Sequence, residues 1–329
     1  MMTCKAYKIF NENNKIEGRI SEVKVAGAGP GEVLIRTAYS SVNYKDALAA
    51  TGAGRIIRNF PLVGGIDAAG TVIESADERF RAGDEVICTS YDMGVAHDGG
   101  YAAVCRVPAD WVVPLPQGLT LFEAMALGTA GYTAGLAVEL LELNGMAPDN
   151  GRVLVNGATG GVASLAIDML AGKGFDITAL TAKAAQQGDF LKSLGASEIL
   201  DRSTLDYGTR PLEKALWAAA FDSAGGDQLG WLTRTMQPHG VIASFGNAAG
   251  IELRTTVLPF ILRGVRLIGI DSVTTPMALR RRIWARLAGD LKPRHLATIA
   301  HTIGLDQLPG YFGRMLQGDI RGRAVVRIQ

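Results

Sequence analysis

The residues best suited to chemistry form a glycine turn, Gly157–Gly161, between an apolar run and a run of small residues. Glycines let the backbone approach a pyrophosphate, and the N-terminus of a following helix offers unpaired N–H groups and the positive end of its dipole. The apolar run before the turn and the small residues after it supply the strand, turn and helix that this dinucleotide-binding motif requires. Ala163 replaces a common final Gly, a permitted variant. A plain strand, turn and helix is the alternative interpretation.

The end of the next apolar run indicates which nicotinamide cofactor the turn fits. NAD-binding proteins usually carry Asp or Glu there, about 20 residues past the turn, to bind the ribose hydroxyls. This chain has Thr181-Ala182-Lys183 instead, and Arg202 follows the third run. Thr181 can donate a hydrogen bond, and the two cations can pair with the 2′-phosphate of NADPH. We therefore predict NADPH as the cofactor; the alternative is that Lys183 and Arg202 are solvated surface residues.

Histidine and cysteine are too few and too scattered to predict a metal site. The chain has four His and three Cys, namely Cys4, Cys88 and Cys105. Catalytic zinc needs three protein ligands, mostly of these types, and structural zinc needs four. The spacing indicates neither a disulfide framework nor a zinc site. We predict a metal-free protein.

Apolar runs alternate with helical stretches between about 126 and 272. Continuous apolar runs are typical of parallel strands that are buried on both faces. The predicted strands are Arg152–Gly157, Asp176–Thr181, Glu198–Asp201, Ala218–Asp222, Val241–Gly246 and Val265–Gly269. The predicted helices are Gly161–Gly172, Ala184–Leu194, Pro211–Trp217 and Gln228–Met236. The alternation predicts a six-stranded doubly wound sheet.

Short β-rich runs with Gly and Pro between them dominate residues 1–125, which predicts a small, mostly antiparallel, barrel-like domain. Its predicted strands are Cys4–Phe10, Glu32–Ser41, Gly70–Glu74, Glu85–Thr89 and Tyr101–Pro108. In the tail from 273, we predict a basic helix at Ala278–Leu291 and a strand at Arg323–Ile328. We interpret Arg280, Arg281 and Arg282 as a solvated helix face. The tail is short, so a return to the first domain is favoured over a separate appendage.

The length and composition fit a two-domain globular protein. The chain has 329 residues, 48% hydrophobic and 20% charged, and a net charge of +1. This length suits two domains, and the near-neutral charge gives no reason to expect nucleic acid or a membrane surface as a partner. The first residues lack the apolar core of a signal peptide, and no run approaches the about 20 apolar residues of a spanning helix. We expect a cytoplasmic protein.

Several stretches together carry a family resemblance over nearly the whole chain. They are Ser41–Leu48 (SVNYKDAL), Ile56–Pro61, Gly65–Val72, Leu127–Ala134, Leu191–Ala196, Pro259–Arg263 and Asp271–Val273. The chain resembles the zinc-independent, quinone-oxidoreductase-like branch of the medium-chain dehydrogenase/reductase superfamily, and within it the NADPH-dependent acrylyl-CoA reductases. The resemblance implies an α/β protein with a GroES-like β-barrel domain, 1–125 completed by 273–329, and a Rossmann NADPH-binding domain at 126–272. It also implies a homodimer.

The resemblance further implies an enzyme that reduces the activated double bond of acrylyl-CoA to propionyl-CoA. The implied cofactor contacts are Tyr44, Thr159, Gly160, Gly161, Val162, Thr181, Lys183, Arg202, Asn247, Ile261 and Ser272. Two departures matter. Relatives often carry Ser-Gly-Arg where this chain has Thr181-Ala182-Lys183, and a lysine lacks the bidentate fork of arginine, which softens the preference for NADPH. Relatives often carry Leu at Asn247, so we expect a backbone contact there.

The metal-free prediction constrains the mechanism. Zinc enzymes of the superfamily carry Gly-His-Glu where this chain has Gly65-Ile66-Asp67. Without a Lewis acid, hydride transfer needs a substrate that is already electrophilic, such as an α,β-unsaturated thioester. We expect Asn43, Tyr44 and Asp67 near the reacting carbons, with Tyr44 as proton donor or cofactor-orienting group and Asn43 as donor to the enolate oxygen. Asp67 then orients these two; the alternative is that Asn43 and Asp67 only fix loops.

An acyl-CoA substrate is anionic, so we expect cations at a cleft rim to bind it: Arg55, Arg58, Arg263, Arg321 and Arg323. Three functional hypotheses remain open. The first is an acyl-CoA double-bond reductase, and the second is a quinone or enone reductase with a neutral substrate. The third is a non-catalytic NADPH-binding protein that senses redox state or binds RNA.

Overall fold

The computed structural model describes residues Met1–Ile328. The chain forms two compact units. The first unit comprises Met1–Ala130, Val273–Ala288 and the described residues from Leu296 onward, and the second unit comprises Gly131–Ser272 and Gly289–His295. Residues 126–130 therefore lie in the first unit and 289–295 in the second, in contrast to the domain limits expected from the sequence.

Strands form the sheets of the first unit and the centre of the second. In chain order they are β1 (Met2–Glu12), β2 (Lys15–Val25), β3 (Glu32–Ser41), β4 (Leu62–Val63), β5 (Asp67–Ser75), β6 (Glu85–Thr89), β7 (Val104–Pro108), β8 (Val112–Pro114), β9 (Val153–Asn156), β10 (Ile177–Thr181), β11 (Glu198–Asp201), β12 (Trp217–Asp222), β13 (Met236–Ser244), β14 (Arg266–Gly269), β15 (Ala300–Gly304) and β16 (Arg323–Arg327).

The helices are α1 (Tyr44–Thr51), α2 (Leu121–Leu143), α3 (Gly161–Gly172), α4 (Ala184–Ser193), α5 (Gly226–Thr235), α6 (Leu258–Arg263), α7 (Met277–Ala288), α8 (Leu296–Ile299) and α9 (Leu308–Leu316). Helix α2 is long and apolar enough to cross a membrane by length and composition, but 83% of its most apolar window is buried inside the protein. That burial is typical of a core helix. The helical geometry breaks at Gly128, where φ is 52° and ψ is −154°.

The first unit contains two sheets. One has the strand order β2-β1-β4, and the larger one has the order β15-β16-β3-β5-β6-β8, with β7 also paired to β3. These pairs are antiparallel except for β15 with β16. Strand β16 pairs with β3 so that Val325 lies opposite Ser41. Strands β15 and β16 therefore extend the sheet that β3 and β5 form.

The second unit is a parallel sheet with the order β11-β10-β9-β12-β13-β14. Its core includes Leu154, Ala220, Trp231 and Ile242, which explains why the strand sequences are continuously apolar. The sheet reverses its winding between β9 and β12, and such a reversal is where open α/β sheets bind ligands, beyond the carboxyl ends of the strands. The predicted α/β fold class is confirmed.

Two sequence-based expectations about secondary structure are corrected. The predicted helix Pro211–Trp217 is not formed, and Trp217 instead begins β12. The Glu213 N–H donates to the carbonyl of Arg234 at 3.0 Å and the Leu216 N–H to that of Thr235 at 2.8 Å, so this backbone bonds to the end of α5 rather than to itself. Strand β2 was not predicted; none of its residues is fully buried, and charged residues separate its apolar ones.

Arg280 is also corrected, because it does not belong to a solvated helix face. Its side chain is fully buried. The guanidinium donates to the carbonyl of Thr89 at 3.3 Å and to that of Val273 at 3.0 Å, and it lies 4.4 Å from the ring centre of Tyr91. Arg281 and Arg282 are exposed. Arg280 therefore anchors α7 in the first unit.

Candidate active site

The glycine turn of the second unit has the backbone shape of a phosphate cradle. Gly157 adopts a φ of 57°, and a Cβ atom there would come within 2.2 Å of the Ser223 hydroxyl. Gly160 is the N-cap of α3, and its N–H donates to the Gly157 carbonyl at 2.8 Å. A glycine cap has no side chain to accept the N–H groups of the first helical turn, which suits an anion in that place. The residues present therefore fit a dinucleotide.

Buried polar side chains fix the strand ends beside this turn. Asn156 ends β9 and donates to the Asp222 carboxylate at the end of β12 at 2.6 Å. The Ser223 N–H donates to the Asn156 side-chain oxygen at 2.7 Å, and the Ser244 hydroxyl donates to Asp222 at 2.9 Å. Asn156 and Asp222 were not among the residues predicted from the sequence to form a site. A polar residue that ends an otherwise apolar strand was the available signal.

The two predicted phosphate-binding cations follow neighbouring strands. Strands β10 and β11 are parallel, with Thr181 opposite Asp201, so Lys183 and Arg202 both lie just beyond the carboxyl ends. Thr181 is buried, and its hydroxyl accepts the Lys183 N–H at 3.1 Å. The Asp201 side chain accepts the Ser203 N–H at 2.8 Å. The hydrogen bonds from Ser203 also hold the pKa of Asp201 below its ordinary value. This carboxylate therefore stabilises the turn that follows it.

The remaining predicted cofactor contacts of the second unit lie after strands or on α6. Thr159 is buried within the turn, and Gly161 and Val162 begin α3. Asn247 is exposed and follows β13, whereas Ser272 is half-buried and follows β14. Ile261 lies on α6 and is 68% exposed. Their contacts with a cofactor stay predictions.

In the first unit, hydrogen bonds join five residues into what we call the polar cluster: Ser41, Asn43, Asp67, Thr129 and Arg323. Asp67 begins β5 and is fully buried. Its carboxylate accepts hydrogen bonds from the Ser41 hydroxyl at 2.5 Å, the Asn43 amide at 2.8 Å, the Thr129 N–H at 2.9 Å and the Thr129 hydroxyl at 2.5 Å. The carboxylate thus accepts four hydrogen bonds from two segments of the chain, one at Ser41 and Asn43 and one at Thr129.

Arg323 supplies the positive charge of the polar cluster. It begins β16 and is 3% exposed. Its guanidinium donates to the Ser41 hydroxyl at 2.8 Å, the Asn43 side-chain oxygen at 3.2 Å, and the carbonyls of Val42 at 2.9 Å and Ala126 at 3.1 Å. Burial lowers its pKa, and the nearby Asp67 opposes that effect. The expectation that Arg323 is a rim cation is therefore wrong.

Of the other predicted rim cations, Arg263 is bonded to backbone carbonyls, whereas Arg55 and Arg58 are exposed. The Arg263 guanidinium donates to the carbonyls of Arg234 at 2.9 Å, Met236 at 3.0 Å and Glu213 at 2.5 Å. It holds backbone within the second unit, so its rim assignment is also corrected. Arg55 and Arg58 are exposed, and Arg58 lies 3.5 Å from Asp92. These two keep the exposure that a rim cation needs.

The polar cluster fixes the start of α1. The Asp46 carboxylate accepts the N–H groups of Asn43 at 2.8 Å and Ile66 at 3.0 Å. Burial, with the nearby Asp67 charge, raises the pKa of Asp46 to about 7. Asn43 is thus held by its backbone to Asp46 and by its side chain to Asp67 and Arg323, an arrangement that favours a loop-fixing role for Asn43 and Asp67. Tyr44 follows directly and is 44% exposed.

Metal ligands do not converge among residues Met1–Ile328, where no group of three or more His, Cys, Asp or Glu could hold an ion. Cys88 and Cys105 are buried, and burial raises the pKa of Cys105 to about 12. Metal-free chemistry stays a prediction.

Comparison with known proteins defines the family. Residues 29–117 match the alcohol dehydrogenase GroES-like domain. The chain is 50% identical over 298 residues to YhfP of Bacillus subtilis, named as a quinone oxidoreductase, with 90% of each chain covered. The chain belongs to the zinc-independent medium-chain dehydrogenase/reductase family. It is also 43% identical over 318 residues, 96% of each chain, to the acrylyl-CoA reductase AcuI of Ruegeria pomeroyi.

Solved structures of this dehydrogenase/reductase family contain both nicotinamide cofactors. The YhdH oxidoreductase of Salmonella enterica in complex with NADP matches with a TM-score of 0.95 and 43% identity, over 100% of both chains. The Bacillus subtilis protein YhfP with NAD bound matches with a TM-score of 0.96 and 45% identity, over 99% of this chain and 100% of the other. The predicted family and its oxidoreductase chemistry are confirmed, and the choice of cofactor depends on residues of this chain.

Proposed function

We propose that this chain uses NADPH to reduce the activated double bond of acrylyl-CoA, giving propionyl-CoA. The observation that carries the proposal is the register of β10 and β11, which brings Lys183 and Arg202 to the strand ends of the sheet that bears the glycine turn. Two cations there suit a 2′-phosphate. The substrate follows from the similarity to AcuI, which covers 96% of each chain.

The second unit is assigned the cofactor. The glycine turn and the first turn of α3 would bind the pyrophosphate, and Lys183 and Arg202 would bind the 2′-phosphate. NADPH supplies the hydride when bound. Since Lys183 is a point charge without a fork, and YhfP is solved with NAD, we expect a preference for NADPH rather than exclusion of NADH.

The first unit is assigned the substrate's reacting atoms. Addition of hydride to the β-carbon moves an electron pair onto the thioester oxygen, and the resulting enolate must take a proton at its α-carbon. Tyr44 is the residue of the predicted catalytic group whose side chain is exposed, so we assign it the proton. Asn43 and Asp67 hold the backbone that presents Tyr44. Arg55 and Arg58 are assigned to the CoA phosphates, which makes KM for the CoA ester rise with salt.

A quinone or enone reductase is the second candidate, and the name of YhfP favours it. It uses the same hydride donor with a neutral acceptor, so Arg55 and Arg58 have no role in it. A non-catalytic NADPH-binding protein would consume no cofactor with any acceptor.

The test is NADPH oxidation measured with acrylyl-CoA, crotonyl-CoA and benzoquinone, in wild type and in Arg55→Gln/Arg58→Gln. We expect the highest kcat/KM with acrylyl-CoA and a raised KM for both CoA esters in the double variant, with benzoquinone turnover unchanged. Arg210→Gln, an exposed arginine of the second unit, is the matched control. Faster turnover of benzoquinone than of either thioester would establish the second candidate instead.

We also propose that two copies pair through the edge of the parallel sheet. Strand β14 is an edge strand, and Val257, Ile261 and Leu262 beside it in sequence are 65%, 68% and 64% exposed. Exposed apolar side chains beside an open edge suit an identical partner. We expect a dimer by light scattering, a monomer for Leu262→Glu, and an unchanged dimer for Leu143→Glu, which removes another exposed leucine of the second unit. A monomeric wild type would contradict this proposal.

A further inference from the structure

A cavity of about 340 Å³ lies in the first unit, outside the polar cluster. It is bounded by the end of α8, the start of β15, helix α9 and the segment before β16. The residues that line it are Thr298, Ile299, Ala300, His301, Tyr311, Arg314, Asp319, Ile320 and Arg321. Two arginines and a histidine thus share the cavity with a single carboxylate, Asp319.

An aromatic ring contacts two of these three groups. Tyr311 is 2% exposed. The His301 ring centre lies 5.6 Å from the Tyr311 ring centre, and the Arg314 guanidinium lies 5.4 Å from it. Stacking of a cation on a ring face limits its motion without neutralising its charge. The cavity is therefore a pre-arranged cationic site.

The positive charges act on one another. Burial, and then the charges of Arg314 and Arg321, lower the pKa of His301. Asp319 and Tyr311 are the other titratable residues of the lining. An anion bound beside these groups would oppose this lowering of the His301 pKa.

We propose that this cavity binds a phosphate-type anion through Arg314, Arg321 and His301. Arginine and protonated histidine are strong donors to phosphate oxygens, and the volume leaves space for a phosphate with part of the molecule that carries it. None of these residues belongs to the polar cluster or the glycine turn. Arg321 was also expected from the sequence as a rim cation for an acyl-CoA, so the test separates coenzyme A from a free anion.

The cavity has a link to the polar cluster through Tyr311. The Tyr311 hydroxyl is buried, and among the described residues it has no hydrogen-bond partner. Burial raises its pKa, whereas the charges of Arg323 and Arg314 oppose that effect. The pKa of Tyr311 therefore depends on one arginine at the cavity, Arg314, and on another in the polar cluster, Arg323.

The test measures binding of inorganic phosphate to the full chain, by calorimetry and by the imidazole NMR signal of His301. The signal is assigned with His301→Gln, since the chain has four histidines. We expect saturable binding that raises the pKa of His301. We also expect binding at least about tenfold weaker in Arg314→Gln and in Arg321→Gln. Arg327→Gln, another exposed arginine of the first unit, is the control and should bind as wild type does.

Competition by coenzyme A and by dephospho-CoA identifies the source of the phosphate. Displacement by coenzyme A alone assigns the site to its ribose phosphate, whereas displacement by neither assigns it to a free anion. Both arginines are exposed, so their replacement should leave the fold intact, which thermal unfolding checks. Absence of saturable phosphate binding, or equal binding by wild type and both variants, would overturn the proposal.

Discussion

The glycine turn of the second unit and the polar cluster of the first unit are held in shape by different means. The turn is a backbone structure, in which Gly157 takes a φ of 57° and Gly160 caps α3. The polar cluster is a side-chain structure. Asp67 accepts four hydrogen bonds within it, and Arg323 donates four.

This difference determines how each region should fail. A phosphate cradle made of N–H groups loses ligand affinity when its cations are removed, while the fold persists. A buried carboxylate and a nearby buried guanidinium balance each other's charge, so removal of either leaves an uncompensated charge. The polar cluster should therefore fail through folding, and the cofactor region through binding.

The largest expected effect comes from Asp67→Ala. It leaves Arg323 buried beside Ser41 and Asn43 without the carboxylate of the polar cluster, so the free energy of unfolding should fall by about 3–5 kcal/mol. Urea denaturation measures this. Asp110→Ala removes an exposed carboxylate that lies 2.7 Å from Arg79 and should cost less than about 1 kcal/mol. Equal stability of Asp67→Ala and wild type would show that the two regions do not differ as described.

The next effect is the pH dependence of stability that Asp46 causes. Its pKa is raised from 3.8 to about 7, so the native state binds the proton more tightly than the unfolded state does. The contribution of Asp46 to the free energy of unfolding is then greatest below pH 4 and falls by a few kcal/mol as the pH rises toward 7, since one pKa unit corresponds to about 1.4 kcal/mol. In Asp46→Asn this fall should be absent, whereas Asp149→Asn, an exposed site, should keep it. Parallel pH profiles of wild type and Asp46→Asn would count against a buried, protonatable Asp46.

Tyr44→Phe should lower kcat for acrylyl-CoA by about a hundredfold and leave KM nearly unchanged, because loss of a general acid acts on the transition state. Its unfolding free energy should not change, in contrast to Asp67→Ala, since Tyr44 is 44% exposed. Tyr207→Phe is the control and should keep full activity. A rise in KM without a fall in kcat would make Tyr44 a substrate-binding residue.

The smallest effects concern the two cofactor cations. Lys183→Ala and Arg202→Ala should each raise Kd for NADPH by about tenfold, as expected for one lost charge-assisted contact, and leave Kd for NADH unchanged. Lys192→Ala, an exposed lysine on α4, should bind both cofactors as wild type does. Equal losses of affinity for NADPH and NADH would show that Lys183 and Arg202 do not bind the 2′-phosphate.

The same contrast explains what could be predicted from the sequence. The glycine turn is contiguous, and the predicted bounds of α3, Gly161–Gly172, agree with the structure. The bounds of β3 and β6 also agree, because apolar residues and breakers mark those strands locally. A backbone site of this kind can be predicted because its residues are contiguous in the sequence.

The polar cluster is not contiguous in the sequence. Its members extend from Ser41 to Arg323, and the pairing of β3 with β16 and with β5 brings Ser41, Asp67 and Arg323 together. Asn43 and Asp67 were found through the family resemblance, and Arg323 was assigned to the surface. Arg280 was misassigned for the same reason, because a buried and a solvated arginine look alike until their distant hydrogen-bond partners are known.

The central claim is that hydride passes from NADPH to the β-carbon of an acryloyl thioester. The most direct measurement supplies NADPH with deuterium on the transferring face of the nicotinamide, together with acrylyl-CoA, and locates the label by mass spectrometry and NMR. We predict propionyl-CoA with one deuterium on the β-carbon and none on the α-carbon, which takes its proton from the protein or from water. Product without deuterium, or NADPH oxidation without propionyl-CoA, would contradict the account.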